Sequence, residues 1–427
     1  MEMNAQKILI LFLSLFSVRL IWEQMLLVLN LKHAHIKQEN PPPVALEIWG
    51  AAAYGKAVAY SRNKITMTLI SSLFDSAFLL VMILSGWLGT LELLISNLAV
   101  GTTLQGILYV YSISLLFSVA SLPATIYSQF VIEQRYGFNR MNWKTFILDG
   151  LKSAAVTLTI VTPLLFVLFT LIRAGSLWWL WGFLLFALFQ LVMLVLYPKI
   201  IAPLFNRFTP LQEGALKDQI RELANRLGFK TSGIFVMDGS RRSGHSNAHF
   251  TGLGRTKRIV LYDTLIRSLE NDQVAGVLAH EVGHQRHRHI LKRLAVSIPS
   301  ALLVFWILSR LLTYPPFFVA FGFRGPSLQA ALVLLVFVSG SFTFIFKPLF
   351  SWWSRRQEYR ADRFVQRHTS YAAALQGALK RLSRDNLSNP VPHPLFSFYH
   401  YSHPTPLERI RALSNTVFDP HSAARLD

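Results

Sequence analysis

Cysteine is absent from all 427 residues. That excludes disulfide scaffolds and thiolate metal sites, and leaves His, Asp and Glu as the side chains able to hold a metal. Charge is scarce as well. Only 15% of residues are Asp, Glu, Lys or Arg against 52% hydrophobic, where an ordinary soluble protein has about a quarter charged. A purely soluble chain is therefore excluded, and the protein must meet lipid. Acidic residues are scarcer still, 22 against 42 Lys and Arg, for a formal net charge of +20. Such an excess could signal nucleic acid, but the cations lie scattered beside apolar runs with no DNA- or RNA-binding motif to organise them. Anionic lipid headgroups, which attract juxtamembrane cations at about 1 kcal/mol each, are the expected counterpart, and no nucleic-acid partner is expected. Internal repeats and low-complexity tracts are missing, so the sequence reads as one membrane body with a soluble portion set into it.

What is present is a set of long apolar runs. Seven of them, near 7–30, 66–89, 104–131, 152–172, 177–198, 294–314 and 328–350, reach the length a helix needs to cross a bilayer. The first has Lys7 ahead of it but no small-residue cleavage site behind it, and is expected to be a retained span. Cations concentrate after the first span (Lys32, Lys37, Lys56, Arg62, Lys64) and after the third (Arg135, Arg140, Lys144), while the alternate loops offer little beyond Glu92, Arg173 and Arg324. The positive-inside rule then puts the N-terminus outside, and both the long insert 199–293 and the C-terminus in the cytoplasm. The expected fold is mainly α, in four parts: an N-terminal five-helix membrane region (1–198), a cytoplasmic segment (199–293), spans six and seven (294–350) and a C-terminal cytoplasmic segment (351–427). The cytoplasmic insert should contain a helix near 210–228, β-runs near 233–237 and 257–262 forming a small sheet, a hairpin or loop from Gly239 to Gly254 between them, and a helix from about 271.

Charges inside the spans need partners. Arg19 and Glu23 lie four apart on one helix face and Asp75 sits in the second span; each would cost about 2.5 to 3.5 kcal/mol at a lipid-exposed bilayer centre. Either an ion pair near a helix end or a polar cavity lined by the spans would satisfy Arg19 and Glu23.

The chemistry gathers in His280-Glu281-Val282-Gly283-His284. Two imidazoles four residues apart on a helix reach one face and can share a tetrahedral zinc, with Glu281 beside them as general base. A hydrolytic zinc needs a third protein ligand and an open position for water. Glu358, just past the seventh span, can supply it, and Asp362 one turn later can accept the second ring N–H of a ligating histidine. Both acids could instead pair with Arg355, Arg356, Arg360 and Arg363. His287 and His289, among Arg286 and Arg288, read as a solvated basic helix end.

Four motifs in this order resemble the type I CAAX prenyl endopeptidase family, integral-membrane zinc metalloproteases of the sterile-mutant/HtpX clan. They are the His280–His284 run, Glu358 to Asp362, Asp238-Gly239-Ser240 through His245-Ser246-Asn247-Ala248, and Tyr401-Ser402-His403-Pro404 before Leu407-Glu408-Arg409. The resemblance implies seven helices enclosing a chamber and a gluzincin-like protease portion with one zinc held by His280, His284 and Glu358. It further implies Glu281 as catalytic base, Asp362 as the orienting carboxylate, His403 as a catalytic helper, and Asn247 and Ala248 as the strand that substrate backbone lies against. Thr405 stands where members often have a second proline, His249 where an aromatic is common, and the loop 315–327 is shorter than in eukaryotic members. The expected partners are a peptide or membrane-protein substrate and the bilayer, and a monomer is expected. An HtpX-like quality-control protease shares the His-Glu-His core but has fewer spans, and a non-catalytic membrane protein with a structural metal is the reading outside the enzymes. The lack of cysteine, of an ER-retrieval tail and of long external loops favours a bacterial cytoplasmic membrane, with the endoplasmic reticulum as the eukaryotic counterpart.

Overall fold

The computed structural model describes residues 4–172, 175–229, 231–251 and 258–414. Among them seven helices are long and apolar enough to cross a membrane. They are α1 (Ala5–Glu39), α2 (Ala51–Leu84), α3 (Thr102–Tyr127, carried on through a π-helical turn Ser128–Glu133 to Tyr136), α4 (Trp143–Leu171) and α5 (Trp178–Leu196, carried on to Phe205), then α8 (His289–Leu311) and α9 (Leu328–Thr343), the last running through a 3-10 turn into α10 (Lys347–His368). Six of the seven bury less than a quarter of their apolar window, which leaves most of that surface to face lipid or an interior space. Several outrun the apolar runs at their polar ends. There they meet the soluble portion: Trp49 Nε1 donates to the Ser383 carbonyl at 3.3 Å, Arg242 pairs bidentately with Asp149 at 2.7 and 3.0 Å, and a buried cluster joins Trp49, Tyr54, Phe138, Leu387 and Val391.

The soluble portion comprises β1 (Phe208–Pro210), α6 (Ala215–Arg226), β2 (Ile234–Met237), β3 (Ala248–Thr251), β4 (Arg258–Tyr262), α7 (Asn271–Arg286), α11 (Ala372–Asp385) and α12 (Pro406–Ser414). The sheet order is β1-β2-β4-β3. Of the hairpin or loop expected between these strands the structure excludes the hairpin, because β2 and β4 pair in parallel (Ile234 with Ile259, Met237 with Tyr262). The connection crosses over and contributes β3, antiparallel to β4, at the sheet edge. The reason is visible in β4, where Ile259, Val260 and Leu261 are all buried, the continuous apolar run of a strand covered on both faces. Gly254, the expected end of that loop, lies outside the described residues, as does Arg173.

Helix α7 begins in a capping box in which Glu270 and Gln273 satisfy each other's backbone N–H. Its buried face, Val274, Leu278 and Val282 with Ala275 and Ala279, keeps helical spacing and packs on Phe364 and Val365 of α10 and Leu375 of α11. Gly283 permits the closest approach: a Cβ there would lie 3.1 Å from both Cα and O of Ala361. After α7, Arg288 takes a left-handed conformation (φ 53°) that turns the chain at once into α8.

Candidate metal centre

The close crossing of α7 and α10 sets two histidines against one carboxylate. His280 Nε2 and His284 Nε2 are 3.1 Å apart, and they lie 3.4 and 3.3 Å from the two oxygens of Glu358. Zinc bonds of about 2.0–2.1 Å in a tetrahedron place donor atoms about 3.3 Å from one another, so the spacing is that of a zinc site. The donor set is of the right kind as well, two imidazoles and one carboxylate with no thiolate. Glu358 is 2% exposed and His280 5%, a burial that an unpartnered carboxylate would not tolerate. The alternative in which Glu358 is neutralised by Arg355, Arg356, Arg360 and Arg363 does not hold: its neighbours are the three histidines and Arg409.

The shell around these groups is specific. His280 Nδ1 donates to Asp362 Oδ1 at 2.8 Å, which fixes the tautomer that leaves Nε2 free for a metal. Asp362 in turn accepts two bonds from Arg409, Nε at 2.9 Å and Nη2 at 2.7 Å, a planar fork that locks the carboxylate in orientation. Burial and Arg409 oppose charge on His280, but the hydrogen bonds to Asp362 and Glu358 outweigh them and carry its pKa up to about 9. Burial likewise holds the Glu281 carboxyl above its usual range, against the pull of His280 and His284. His403 Nε2 stands 3.3 Å from Glu358 Oε1, on an exposed side chain whose Nδ1 is 3.1 Å from Ser402 Oγ. Asn247 and Ala248 lead into the edge strand β3, which rests against α7; the Asn247 carbonyl accepts from the Tyr262 N–H at 3.1 Å.

Two participants escaped the sequence reading. Arg409 was visible only as part of a motif, yet it ties Asp362 to His280; Nη2 also lies 3.2 Å from His280 Nδ1. Its helix α12 is started by Thr405, whose N–H and hydroxyl bond Glu408 Oε2 at 2.7 and 2.9 Å, a Thr-x-x-Glu capping box legible in the sequence. So Thr405, which departs from the family's proline, has its own structural role. The second is His289, which is not a solvated helix end. It is 2% exposed, and its Nδ1 lies 2.7 Å from His284 Nδ1. The sharp Arg288 turn brings it there, and no spacing rule signals such a turn.

Comparison with known proteins agrees with this geometry. The profile of peptidase family M48 matches residues 210–417, and that of the CAAX prenyl protease N-terminal region, described as five membrane helices, matches residues 30–207. The chain is 34% identical over 411 residues to CAAX prenyl protease 1 of Saccharomyces cerevisiae, covering 90% of each chain. The chain belongs to the CAAX prenyl protease branch of family M48. The Homo sapiens CAAX prenyl protease 1 homolog is 30% identical over 460 residues, covering 96% of each chain. The crystal structure of S. mikatae Ste24p superposes with a TM-score of 0.86 at 31% identity, over 95% of this chain and 99% of that one. This member of the family is therefore a multi-pass membrane metallopeptidase with seven helices around a chamber.

Proposed function

We propose that the protein is a zinc endopeptidase that cuts membrane-associated peptides near their C-termini, prenylated ones among them, with His280, His284 and Glu358 as the ligands. The single observation that carries this reading is the trio of donor atoms 3.1 to 3.4 Å apart at the mouth of the membrane region. When bound, zinc acts as a Lewis acid that brings the pKa of a water molecule from 15.7 toward about 7. Glu281 takes the proton of the attacking water and returns it to the departing amine; its raised pKa suits a group that must both accept and release a proton. His403 donates from Nε2 to the developing oxyanion, where one lost donor commonly costs about 3 kcal/mol. Asp362 and Arg409 keep His280 in its ligating tautomer. The free edge of β3 at Asn247 and Ala248 accepts the substrate as an added strand, so that backbone bonds align the scissile peptide with little regard to side chains.

The catalytic portion faces the cytoplasm in this reading. The cation-rich loops after α1 and α3 lie at the same end as the zinc site: Arg140 N–H bonds the Arg242 carbonyl at 3.2 Å and Glu133 meets His245 at 3.3 Å. The test is Glu281→Gln assayed on a farnesylated C-terminal peptide and on a misfolded membrane protein. Zinc content should stay at one per chain while cleavage of the farnesylated peptide is lost; full activity in that variant would overturn the role of Glu281. Cleavage of only the misfolded protein by the wild type would set prenyl processing aside.

A further inference from the structure

A cavity of about 540 Å³ lies between α2 and α3, with Ile70, Phe74, Ala120 and Ala124 on its walls and Arg135 at one end. A second, of about 560 Å³, lies between α1 and α2 and is lined by Lys32, His35, Arg62 and Tyr136 among others. Asn63 and Thr66 line both, so the two form one groove, apolar along α2 and α3 and cationic where it reaches α1. The wall on α3 carries that helix's irregular features, Pro123 and Ile132 of the π-helical turn, which interrupt the ridge of side chains that would otherwise interdigitate with α2. None of these residues belongs to the candidate metal centre, and the mechanism above uses none of them.

The groove has the layout of one membrane leaflet. Lys32, Arg62 and Arg135 each lie a few residues beyond the end of an apolar run, at 30, 66 and 131, which is the level of the headgroups. From Asn63 to Phe74 the wall follows α2 inward for about 16 Å, half of a hydrocarbon core of about 30 Å. The acids at this end are already occupied: Glu133 meets Tyr60 at 2.7 Å, His245 at 3.3 Å and Lys64 at 3.5 Å, and Glu39 meets His35 at 3.7 Å. Lys32 and Arg135 form no ion pair among the described residues, and Arg62 donates to the neutral Gln38 side chain at 2.7 Å. Three cations are thus left without a counter-charge at the mouth of an apolar groove. We propose that this groove binds one anionic phospholipid, its phosphate held by Lys32, Arg62 and Arg135 and an acyl chain lying along Ile70, Phe74, Ala120 and Ala124. The Tyr136 hydroxyl accepts from Asn63 Nδ2 at 2.9 Å and has its own proton left to donate to the phosphate. A zwitterionic lipid would fill the apolar part equally well but would bring an ammonium against the same three cations.

Lipid binding is measured here without any peptide being cut, so its outcome is independent of the peptidase reading. The full chain in a neutral detergent is titrated with dioleoyl phosphatidylglycerol or dioleoyl phosphatidylcholine, and native mass spectrometry counts the lipid retained per chain. One phosphatidylglycerol should be retained, at least about tenfold more tightly than phosphatidylcholine, since each cation near a headgroup contributes about fivefold. In the Lys32→Gln, Arg62→Gln, Arg135→Gln triple variant the ratio of the two affinities should fall to within about twofold of one. A control triple, Lys56→Gln, Lys144→Gln, Lys199→Gln, removes the same charge from exposed positions outside the groove and should keep the wild-type ratio within about twofold. Both affinities come from one preparation, so a reduced folded fraction does not move their ratio. Dihexanoyl phosphatidylglycerol, with the same headgroup and short chains, should bind at least about tenfold more weakly than the dioleoyl lipid, the equivalent of two methylenes left unburied. Equal retention of the two dioleoyl lipids by the wild type would mean that hydrocarbon alone is held, and equal affinity for the short-chain lipid that a phosphate alone is held. Either result overturns the proposal, as does a fall in the ratio that the control triple shares.

Discussion

Replacing Gly283 with alanine adds one methyl where the two ligand-bearing helices come closest. The new Cβ would lie 3.1 Å from Ala361 Cα, 3.1 Å from Ala361 O and 3.2 Å from Phe364 Cβ, against about 3.5–4.0 Å for relaxed carbon contacts. Two of those three atoms are backbone, so a rotamer change cannot relieve them and α10 must retreat by roughly 0.4 Å. Metal–ligand distances tolerate about ±0.2 Å. The retreat carries Glu358 with it, three residues before Ala361, and the expected loss in zinc affinity is about 10- to 100-fold, the range seen when groups that orient ligands are lost. Stability should change less, since overpacking costs about 1–3 kcal/mol while alanine in place of glycine returns about 1 kcal/mol of helix propensity. The control is Gly276→Ala on the same helix, whose Cβ would meet Leu375 N at 2.8 Å on α11, a helix that bears none of the candidate ligands. Chelator competition gives the affinities and thermal melts the stabilities. Gly276→Ala should melt lower and bind zinc within about threefold of wild type. Zinc binding by Gly283→Ala within twofold of wild type, or equal affinity losses in both variants, would refute the argument that helix approach sets the site.

Three further outcomes are expected. Zinc competes with a proton for His280 Nε2, whose metal-free pKa is about 9; the dissociation constant should therefore fall about tenfold per pH unit from pH 7 to 9 and level off above, with about one proton released per metal near pH 7. The same raised pKa means that the imidazolium stabilises the metal-free fold fully below pH 6.5 and ceases to do so as pH passes 9, so metal-free melts should decline across that window. Asp362→Asn turns one of the two acceptor oxygens into an amide donor, so the side chain can no longer accept from His280 and from both Arg409 nitrogens at once, and should weaken zinc about 10- to 100-fold, measured by the same competition. Chelation should silence cleavage and be reversed by added zinc without loss of far-ultraviolet helical signal, because α7 and α10 are already joined by Leu278, Val282, Phe364 and Val365 without the ion's help; unfolding on chelation would make the metal structural.

How far the sequence carried the reading can be judged residue by residue. The seven spans were legible because lipid demands long apolar runs, and the histidine pair of the candidate metal centre because a four-residue helical spacing puts two side chains on one face. Glu358 and Asp362 were legible one turn apart as a candidate third ligand and an orienting carboxylate, and the resemblance implies the same roles. What escaped depends on tertiary placement. The parallel pairing of β2 with β4 is set by burial on both faces, which a short apolar run does not reveal. Arg409 reads as a surface cation until α12 folds back onto α10, and His289 as a solvated one until Arg288 turns the chain. For Arg19 and Glu23 the sequence left an ion pair and a polar cavity both open, because spacing along one helix is all a sequence displays, whereas the wall of the cavity they line comes from two other helices.

The chain connectivity explains why such a site belongs at a membrane. The histidines end a soluble helix that turns at Arg288 directly into α8, and Glu358 lies on α10, which continues α9 out of the membrane region. The ligands thus sit on the two arms of one transmembrane hairpin, and any shift of α8 against α9 is felt as a change in their separation. Helix α1 closes the same region from the other side, placing Arg19 and Glu23 against α9 and α10. If the proposed function holds, a peptide whose lipid anchor stays in the hydrocarbon could reach His280, His284 and Glu358 from the chamber side without its anchor entering water, at about 0.8 kcal/mol avoided per methylene kept buried. For an anchor of a dozen or more carbons that term would outweigh what a few backbone bonds to β3 could supply, so under the proposed function entry from the membrane region, and not affinity of the soluble face, would select lipid-bearing substrates.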